Sequence, residues 1–399
     1  MHIAVIGAGV TGVTTAYYLA QKGAEVSLFD SANEAGMGAS FGNGAQLSYS
    51  FADPMARPAM LRALLPMLMG RDRAMNIHLS AALIPWGMRF LRECTPVRTQ
   101  RNLYAALSIT DESSKLLEPL LQHTLVDCSH HVAGKLVLLS SPVALRQAEA
   151  VCKIKRELGF DTQTISLKEA TEIEPAISNM TDNYCGAVYS RYDAVGDAHQ
   201  FCQSLGDWLT HNTSTTLRLS TAVQALKKDS RSPGVVVNAE TEHFDAVVVC
   251  AGNSSAQLVK PLGVNLPIYP VRGYSLTLPL KRQSPHVSIT LASRRLVLSR
   301  LDTSLRIAGF ADFTTDHQLD KARGQALLET ARSAAPEAAD FDSNDIKTWS
   351  GNRPMTPNSL PYVGATQVAG LYLNTGHGML GWTMACGTAH RVANSIFSS

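Results

Sequence analysis

The chain lacks an excess of charge of either sign. Its formal net charge is +2 at pH 7, so no general affinity for nucleic acid is expected. It lacks CxxC pairs and close Cys/His clusters. The 7 cysteines are scattered, which argues against a disulfide framework and a structural zinc site and for a reduced, cytoplasmic protein. No metal is expected. Missing too are an apolar run long enough to span a bilayer, an internal repeat and a long low-complexity linker. The sequence starts directly on an apolar strand. A cleavable leader is not expected, because removing residues 1–25 would delete the glycine turn described next. A length of 399 residues suffices for two domains, or for one large domain with insertions.

What is present begins at residue 2. His2 to Ile6 reads as a strand, Gly7-Ala8-Gly9-Val10-Thr11-Gly12 as a turn, and Val10 to Lys22 as a helix with Val13, Ala16, Tyr17 and Ala20 on one face. Gly23 stands where that helix would end. Glu25 to Phe29 reads as a second strand closed by Asp30. In such a unit Gly7 permits the tight turn, Gly9 lets the backbone approach a pyrophosphate, and Gly12 lets helix and strand pack closely. The free amides and positive end of the helix meet the phosphates. Asp30 accepts hydrogen bonds from ribose hydroxyls and disfavours a 2′-phosphate. This context makes the GxGxxG pattern a dinucleotide site.

A complete NAD domain would continue with further βα units. Here Ser31 to Gly38 leads instead into a small, polar, glycine-rich run, Ala39 to Gln46, and residues 54–122 read as helical without a clear parallel strand. A small-residue loop beside the pyrophosphate suits an extended FAD. Later segments supply the missing sheet: Thr215 to Leu226, Gly234 to Ala239, and the valine-rich His243 to Cys250, which ends at Ala251-Gly252. Gly370 to Asn374 is a further strand. It feeds the glycine turn Thr375 to Gly387 and a last helix, a second candidate anion site that can face the flavin pyrimidine and stabilise its reduced anion.

The blocks IAVIGAGVTGVTTAYYLAQKGAEVSLFD, SFGNGAQLS, PVRGYSLTLPL, WSGNRPMTP followed by LPYVG, and LNTGHGMLGWTMACG resemble the FAD-dependent D-amino-acid oxidase superfamily. Within it the chain is similar to the family of catalytic small subunits of bacterial D-amino-acid dehydrogenases. The resemblance covers nearly the whole chain. It implies an α/β fold, with a Rossmann-like FAD-binding domain interleaved with an α+β substrate domain on a mixed or antiparallel sheet. The expected division is 1–95, 185–262 and 340–399 for the FAD part, and 96–184 and 263–339 for the substrate part. Expected cofactor contacts are Gly7, Ala8, Gly9, Val10, Thr11, Gly12, Asp30, Ser31, Ser40, Asn43, Gly44, Ala45, Gln46, Val223, Ala251 and Gly252, then Gly376, His377, Gly378, Met379, Leu380, Gly381, Trp382 and Thr383. FAD is expected to be non-covalent, Cys386 notwithstanding.

The implied activity is oxidative deamination of D-amino acids. Hydride moves from Cα to flavin N5, the imine hydrolyses to 2-oxo acid and ammonia, and electrons pass to a quinone or another acceptor that is not O2. The redox chemistry is the cofactor's, and the protein must hold Cα near the ring. Arginine suits a bidentate carboxylate grip. The resemblance assigns that grip to Arg353. Tyr274 is a second candidate, its hydroxyl directed at the carboxylate or amine, against a core tyrosine in a strand. His377 is a tempting base, but its glycine-flanked position points to lining the flavin. Asp197 is expected to cap a helix beginning near Ala198, and Arg191 and Arg300 are unranked substrate contacts. Two departures from the family pattern, Asn352 before the arginine and the order Asn43-Gly44-Ala45, bear on substrate choice. They keep open D-proline or hydroxy-D-proline, with Asn352 meeting an added hydroxyl. An O2-using oxidase, and an FAD-binding subunit of a multi-component complex, are the other functions open.

Residues 55–69, MARPAMLRALLPMLM, followed by Arg71 and Arg73, read in two ways. One is a pair of short helices, interrupted by Pro58 and Pro66, that cover a core or a site. The other is a basic, apolar patch, residues 55–73, touching the cytoplasmic face of the inner membrane.

Overall fold

The computed structural model describes residues 1–69, 72–230, 232–316 and 320–398. Arg71, one of the basic residues of the expected patch, lies outside the described residues. Two sheets organise the chain. The first has six strands in the order Tyr362–Ala365, Leu371–Thr375, Ala246–Val249, His2–Ile6, Glu25–Phe29 and Thr215–Arg218. All its pairings are parallel except the edge strand Tyr362–Ala365. Its strands are near-continuous apolar runs because both faces are covered. On one face Val10–Gln21, Ala198–Asn212 and Gly381–Phe397 pack on Val5, Val26 and Val248, and on the other Val235, Val259 and Leu266 meet Ala4 and Val247.

The second sheet is mixed. Its order is Lys347–Met355, Tyr269–Pro279, Ser304–Phe313, Leu296–Arg300, Ser288–Leu291, Lys135–Leu139, Gly186–Ser190 and Thr162–Ser166, with Met75–Ile77 paired in parallel to the end of Ser304–Phe313. Helix Lys321–Ala334 backs it through Leu327 and Ala331.

Several sequence expectations need correction. Thr215 to Leu226 is two strands: the first stops at Arg218, the backbone turns with Ser220 at φ 50°, and Ala225–Lys227 joins a separate antiparallel hairpin. The strand Met75–Ile77 lies inside the stretch read as helical. The 29-residue helix Pro96–Thr124 falls in the segment assigned to the substrate part, yet its Leu117 and Leu120 belong to the core around Val10–Gln21. Conversely, Gly186–Ser190 and Lys347–Met355 fall in segments assigned to the FAD part but are strands of the mixed sheet. Residues 58–68 form one helix, not two. Pro58 opens it, and Pro66 is tolerated close to its end.

Candidate functional site

The glycine turn is built as its residue types require. Gly7 has φ 106°, and a Cβ there would lie 2.7 Å from the carbonyl oxygen of Cys250. A Cβ at Gly12 would collide with the carbonyl of Gly7. At Gly9 the only neighbour of an added Cβ is Ser40 Oγ at 3.4 Å. Nothing within the protein demands glycine there, so its bareness opens space toward the cavity it lines. The helix Val10–Gln21 has no side-chain cap at Gly9 and no acid in its first turn, which suits an anion. The Asp30 carboxylate is fixed by two backbone donors, Ala8 N–H at 2.7 Å and Ala32 N–H at 2.9 Å, and faces the same cavity.

The small-residue loop is clamped to the mixed sheet through its carbonyls. Ser275 Oγ donates to Gly42 O at 2.6 Å, Arg306 Nη1 to Asn43 O at 2.9 Å, and Ser299 Oγ to Gly44 O at 2.8 Å. At the far end of the chain, Ser48 N–H donates to Thr383 Oγ1 at 3.1 Å, and Trp382 Nε1–H donates to Gly196 O at 3.0 Å. The start of the closing helix Gly381–Phe397 is thereby joined to the loop.

These pieces enclose a cavity of about 1450 Å³, larger than a drug-sized pocket and roomy enough for a dinucleotide. Of the expected cofactor residues, Gly7, Gly9, Val10, Thr11, Asp30, Ser31, Ser40, Asn43, Gly44, Gln46, Val223, Ala251, Gly252 and 376–383 line it. Ala8, Gly12 and Ala45 do not. Ala8 acts by orienting Asp30, and Gly12 by close packing. The residues present thus fit FAD: an open backbone at Gly9, an anchored carboxylate at Asp30, and two acid-free helix starts on one cavity. Cys386 is buried among the core helices and is not part of the cavity wall.

Arg353, on the strand Lys347–Met355, lines the same cavity. Its Nη1 donates to Phe310 O at 3.0 Å. Among the described residues no carboxylate oxygen lies within 4.0 Å of it. Asp312 is close enough to favour its charge, but burial dominates and lowers its pKa to about 10. The guanidinium is still charged at neutral pH, half-buried, and without an ion pair among the described residues.

Tyr274 lines the same cavity as Arg353, and its ring also packs in the core that includes helix Lys321–Ala334. Its hydroxyl donates to Asp312 Oδ2 at 2.9 Å, and Asp312 is also gripped by Arg323 at 2.6 and 2.9 Å. Burial, then Asp312, raises the phenol pKa. The hydroxyl is therefore committed and is not a free donor for a substrate. Asn352 is engaged as well: its Oδ1 accepts from Arg272 Nε at 3.4 Å. Arg191 is exposed and Arg300 lines a separate, smaller cavity. Asp197 caps the helix Ala198–Asn212 through His199 N–H at 2.9 Å.

His377 is buried, and its Nε2 is hydrogen-bonded to Thr388 Oγ1 at 3.0 Å. Burial lowers its pKa from 6.5 to about 3, so it is neutral under working conditions and poorly placed to act as a base. A consequence for stability follows. Above pH 6.5 the ring is neutral folded and unfolded. Between about 6.5 and 3 only the unfolded chain takes the proton, so this group makes stability fall on acidification, by at most about 1.4 kcal/mol per pH unit. His377→Gln should lose less stability than the native protein between pH 6.5 and 4, read as urea midpoints. Parallel curves would contradict the assignment.

Met55 and Met60, from the segment read as covering a core or a site, line the cavity. Sequence reasoning missed Phe51, Asp53, Met75 and Lys135, which also contribute to its wall. Lys135 had one visible signal, a cation opening the apolar run Lys135–Leu139.

Comparison with known proteins agrees with this geometry. Residues 2–395 match the family described as FAD dependent oxidoreductase (DAO). The chain is 38% identical over 408 residues to a D-amino acid dehydrogenase of Dechloromonas aromatica (strain RCB), covering 99% of this chain and 97% of that one. It is 36% identical over 410 residues to D-amino acid dehydrogenase 2 of Ralstonia nicotianae (strain ATCC BAA-1114 / GMI1000), covering 99% and 96%. Among solved structures it resembles glycine oxidase from Geobacillus kaustophilus (TM-score 0.77, 21% identity, covering 100% of this chain and 94% of that one). A second is L-proline dehydrogenase from P. horikoshii (TM-score 0.75, 18% identity, covering 100% and 93%). At these identities the structures speak to the fold.

Proposed function

The chain belongs to the FAD dependent oxidoreductase family, and on that premise we propose that it oxidatively deaminates D-amino acids and passes the electrons to a quinone or another acceptor that is not O2. The observation that carries the substrate assignment is Arg353, a half-buried guanidinium with no ion pair among the described residues, on the wall of the cofactor cavity. A cation so placed is completed by an incoming carboxylate. FAD, when bound, supplies the two-electron acceptor for the hydrogen leaving Cα.

The residues of this chain then hold and orient. Asp30 meets ribose hydroxyls, while Gly9 and the amide of Thr11 meet the pyrophosphate and Val10 N–H is held by Ser40 Oγ at 3.1 Å. Ser40, Asn43, Gly44 and Gln46 would flank the cofactor from one side, with 376–383 at its pyrimidine end. Arg353 fixes the substrate carboxylate. Phe310 O fixes Arg353, and Gly273 leaves room for it, since a Cβ there would collide with the guanidinium. The hydrophobic wall of Met55, Met60, Ala63 and Met75 excludes water beside it. His377, neutral and tied to Thr388, is not asked to move a proton. The relatives named as D-amino acid dehydrogenases support the D assignment. The purified protein, yellow and kept anaerobic, should bleach with D-amino acids and keep its colour with the L-isomers. Bleaching by L-isomers alone would overturn the stereochemical reading.

No helix among the described residues is long and apolar enough to cross a membrane. We infer a peripheral contact through residues 55–73. Leu61, Leu68 and Met69 are exposed on this segment, and Ile84, Met88 and Leu91 on helix Leu83–Glu93, interspersed with exposed Arg62, Arg89 and Arg92. Exposed apolar side chains beside cations fit an anionic lipid surface. The protein should co-sediment with phosphatidylglycerol vesicles, and Leu61→Asp with Leu68→Asp should abolish this. Equal recovery of both proteins in the supernatant would refute the contact.

A further inference from the structure

Lys135 is a buried cation without an ion pair among the described residues, and neither the glycine turn nor the carboxylate grip uses it. It opens the strand Lys135–Leu139 in the mixed sheet and is 3% exposed. Its ammonium donates to Gln46 Oε1 at 3.0 Å and Ser48 Oγ at 2.7 Å, and lies over the Phe51 ring at 4.6 Å from the centroid. Among the described residues no carboxylate oxygen lies within 4.0 Å of it. Nearby Asp53 is taken by Lys155 at 2.6 Å. Asp193 accepts from Ser50, and burial raises its pKa above the ordinary carboxylate range. Burying an ammonium is costly unless something answers its charge.

The hydrogen bonds link the ammonium to the start of the closing helix. Gln46 and Ser48 belong to the cavity-lining loop. Ser48 N–H donates to Thr383 Oγ1, which in turn donates to Gln46 O at 3.5 Å. Thr383 stands in the first turn of the closing helix, whose start already favours negative charge. The substrate grip is elsewhere. The strands bearing Lys135 and Arg353 are five steps apart in the sheet, or about 24 Å at the usual spacing.

We propose that Lys135 is a positioning residue for the cofactor: it ties Gln46 and Ser48 to the start of the closing helix and supplies the positive charge that favours an anionic, reduced ring. This rests on the FAD reading above. Burial lowers the Lys135 pKa to about 8, so the charge is present at neutral pH and lost above it, in a field set by Asp193, Lys155 and Asp53.

Sulfite is the probe, because its binding to flavin, seen as loss of the visible band, places negative charge on the pyrimidine. In holoenzyme, Lys135→Met should weaken sulfite binding at least about tenfold and leave KM for D-amino acids nearly unchanged. Lys135→Arg should stay close to the native protein. Unchanged sulfite affinity in a yellow Lys135→Met protein overturns the proposal, and so does a raised KM with sulfite unaffected. Should that variant fail to fold, the native protein and Lys135→Arg suffice. Native sulfite affinity should fall relative to the arginine form as pH rises through about 8, since only lysine discharges there. A flat ratio overturns the proposal. Colourless native protein would instead sink the FAD reading itself.

Discussion

Arg353→Ala should lower kcat/KM for D-amino acids by about 2–5 kcal/mol, roughly thirtyfold to several thousandfold, while the protein stays yellow. The expectation follows from what the guanidinium has and lacks. It has one backbone partner, Phe310 O, and a recess created by the missing side chain of Gly273. It lacks a carboxylate. Asp312 is the nearest candidate, but Arg323 and Tyr274 occupy its oxygens. A half-buried cation whose charge is already penalised by desolvation is a strain on the fold, and removing it relieves the strain. Arg353→Met should therefore unfold at the same temperature as the native protein or higher, even though its activity collapses. A structural arginine would behave in the opposite way, with stability falling and turnover kept. Full activity in Arg353→Ala, measured over a wide substrate range, would end the assignment.

The contrast between Arg353 and Tyr274 shows which features a sequence exposes. The glycine turn was legible because Gly7 takes a left-handed φ of 106° and Gly12 packs on the carbonyl of Gly7 within the same turn, so local geometry leaves no other residue type. Asp30 was legible for the same reason, standing at the end of a strand a set distance from the turn. The engagement of the Tyr274 hydroxyl by Asp312, itself gripped by Arg323, was not, although the residue does line the cavity. Strand alternation assumes an unbroken ladder, and the register shifts beside Gly273. The engagement depends on residues 38 and 49 positions later in the chain, which a local pattern does not contain. The sheet pairings share the difficulty. His2–Ile6 lies beside Ala246–Val249, and the apolar character of each predicts burial but not partnership. Thr215 to Leu226 looked continuous because β-forming residues persist past Arg218, where the partner strand Glu25–Phe29 has already ended. Lys135 was overlooked because an isolated cation at a strand end ordinarily faces water, and only the assembled cavity turns it inward.

Gly12→Ala should give a colourless, less stable protein. Gly12 takes no left-handed conformation. It lies inside the helix Val10–Gln21, where alanine is ordinarily the better residue by roughly 1 kcal/mol. Helix propensity therefore predicts a gain. Packing predicts the reverse, because the new methyl would occupy the position of the Gly7 carbonyl oxygen. That carbonyl cannot simply retreat: Gly7 N–H is held by Phe29 O at 2.7 Å, and Gly7 itself abuts the Cys250 carbonyl. The helix start must move instead, breaking the Val10 N–H bond to Ser40 Oγ and carrying the amide of Thr11 away from the phosphate position. Overpacking of this kind costs about 1–3 kcal/mol or more, and the stabilisation that bound FAD confers by mass action is lost with it. Gly9→Ala separates the two effects. Its methyl meets only Ser40 Oγ, at an ordinary distance, so the apoprotein should unfold at the native temperature while FAD affinity falls, because the methyl projects into the cavity. If Gly12→Ala retained stoichiometric FAD and native stability, the close contact of helix and strand would not be what presents that amide to the cofactor.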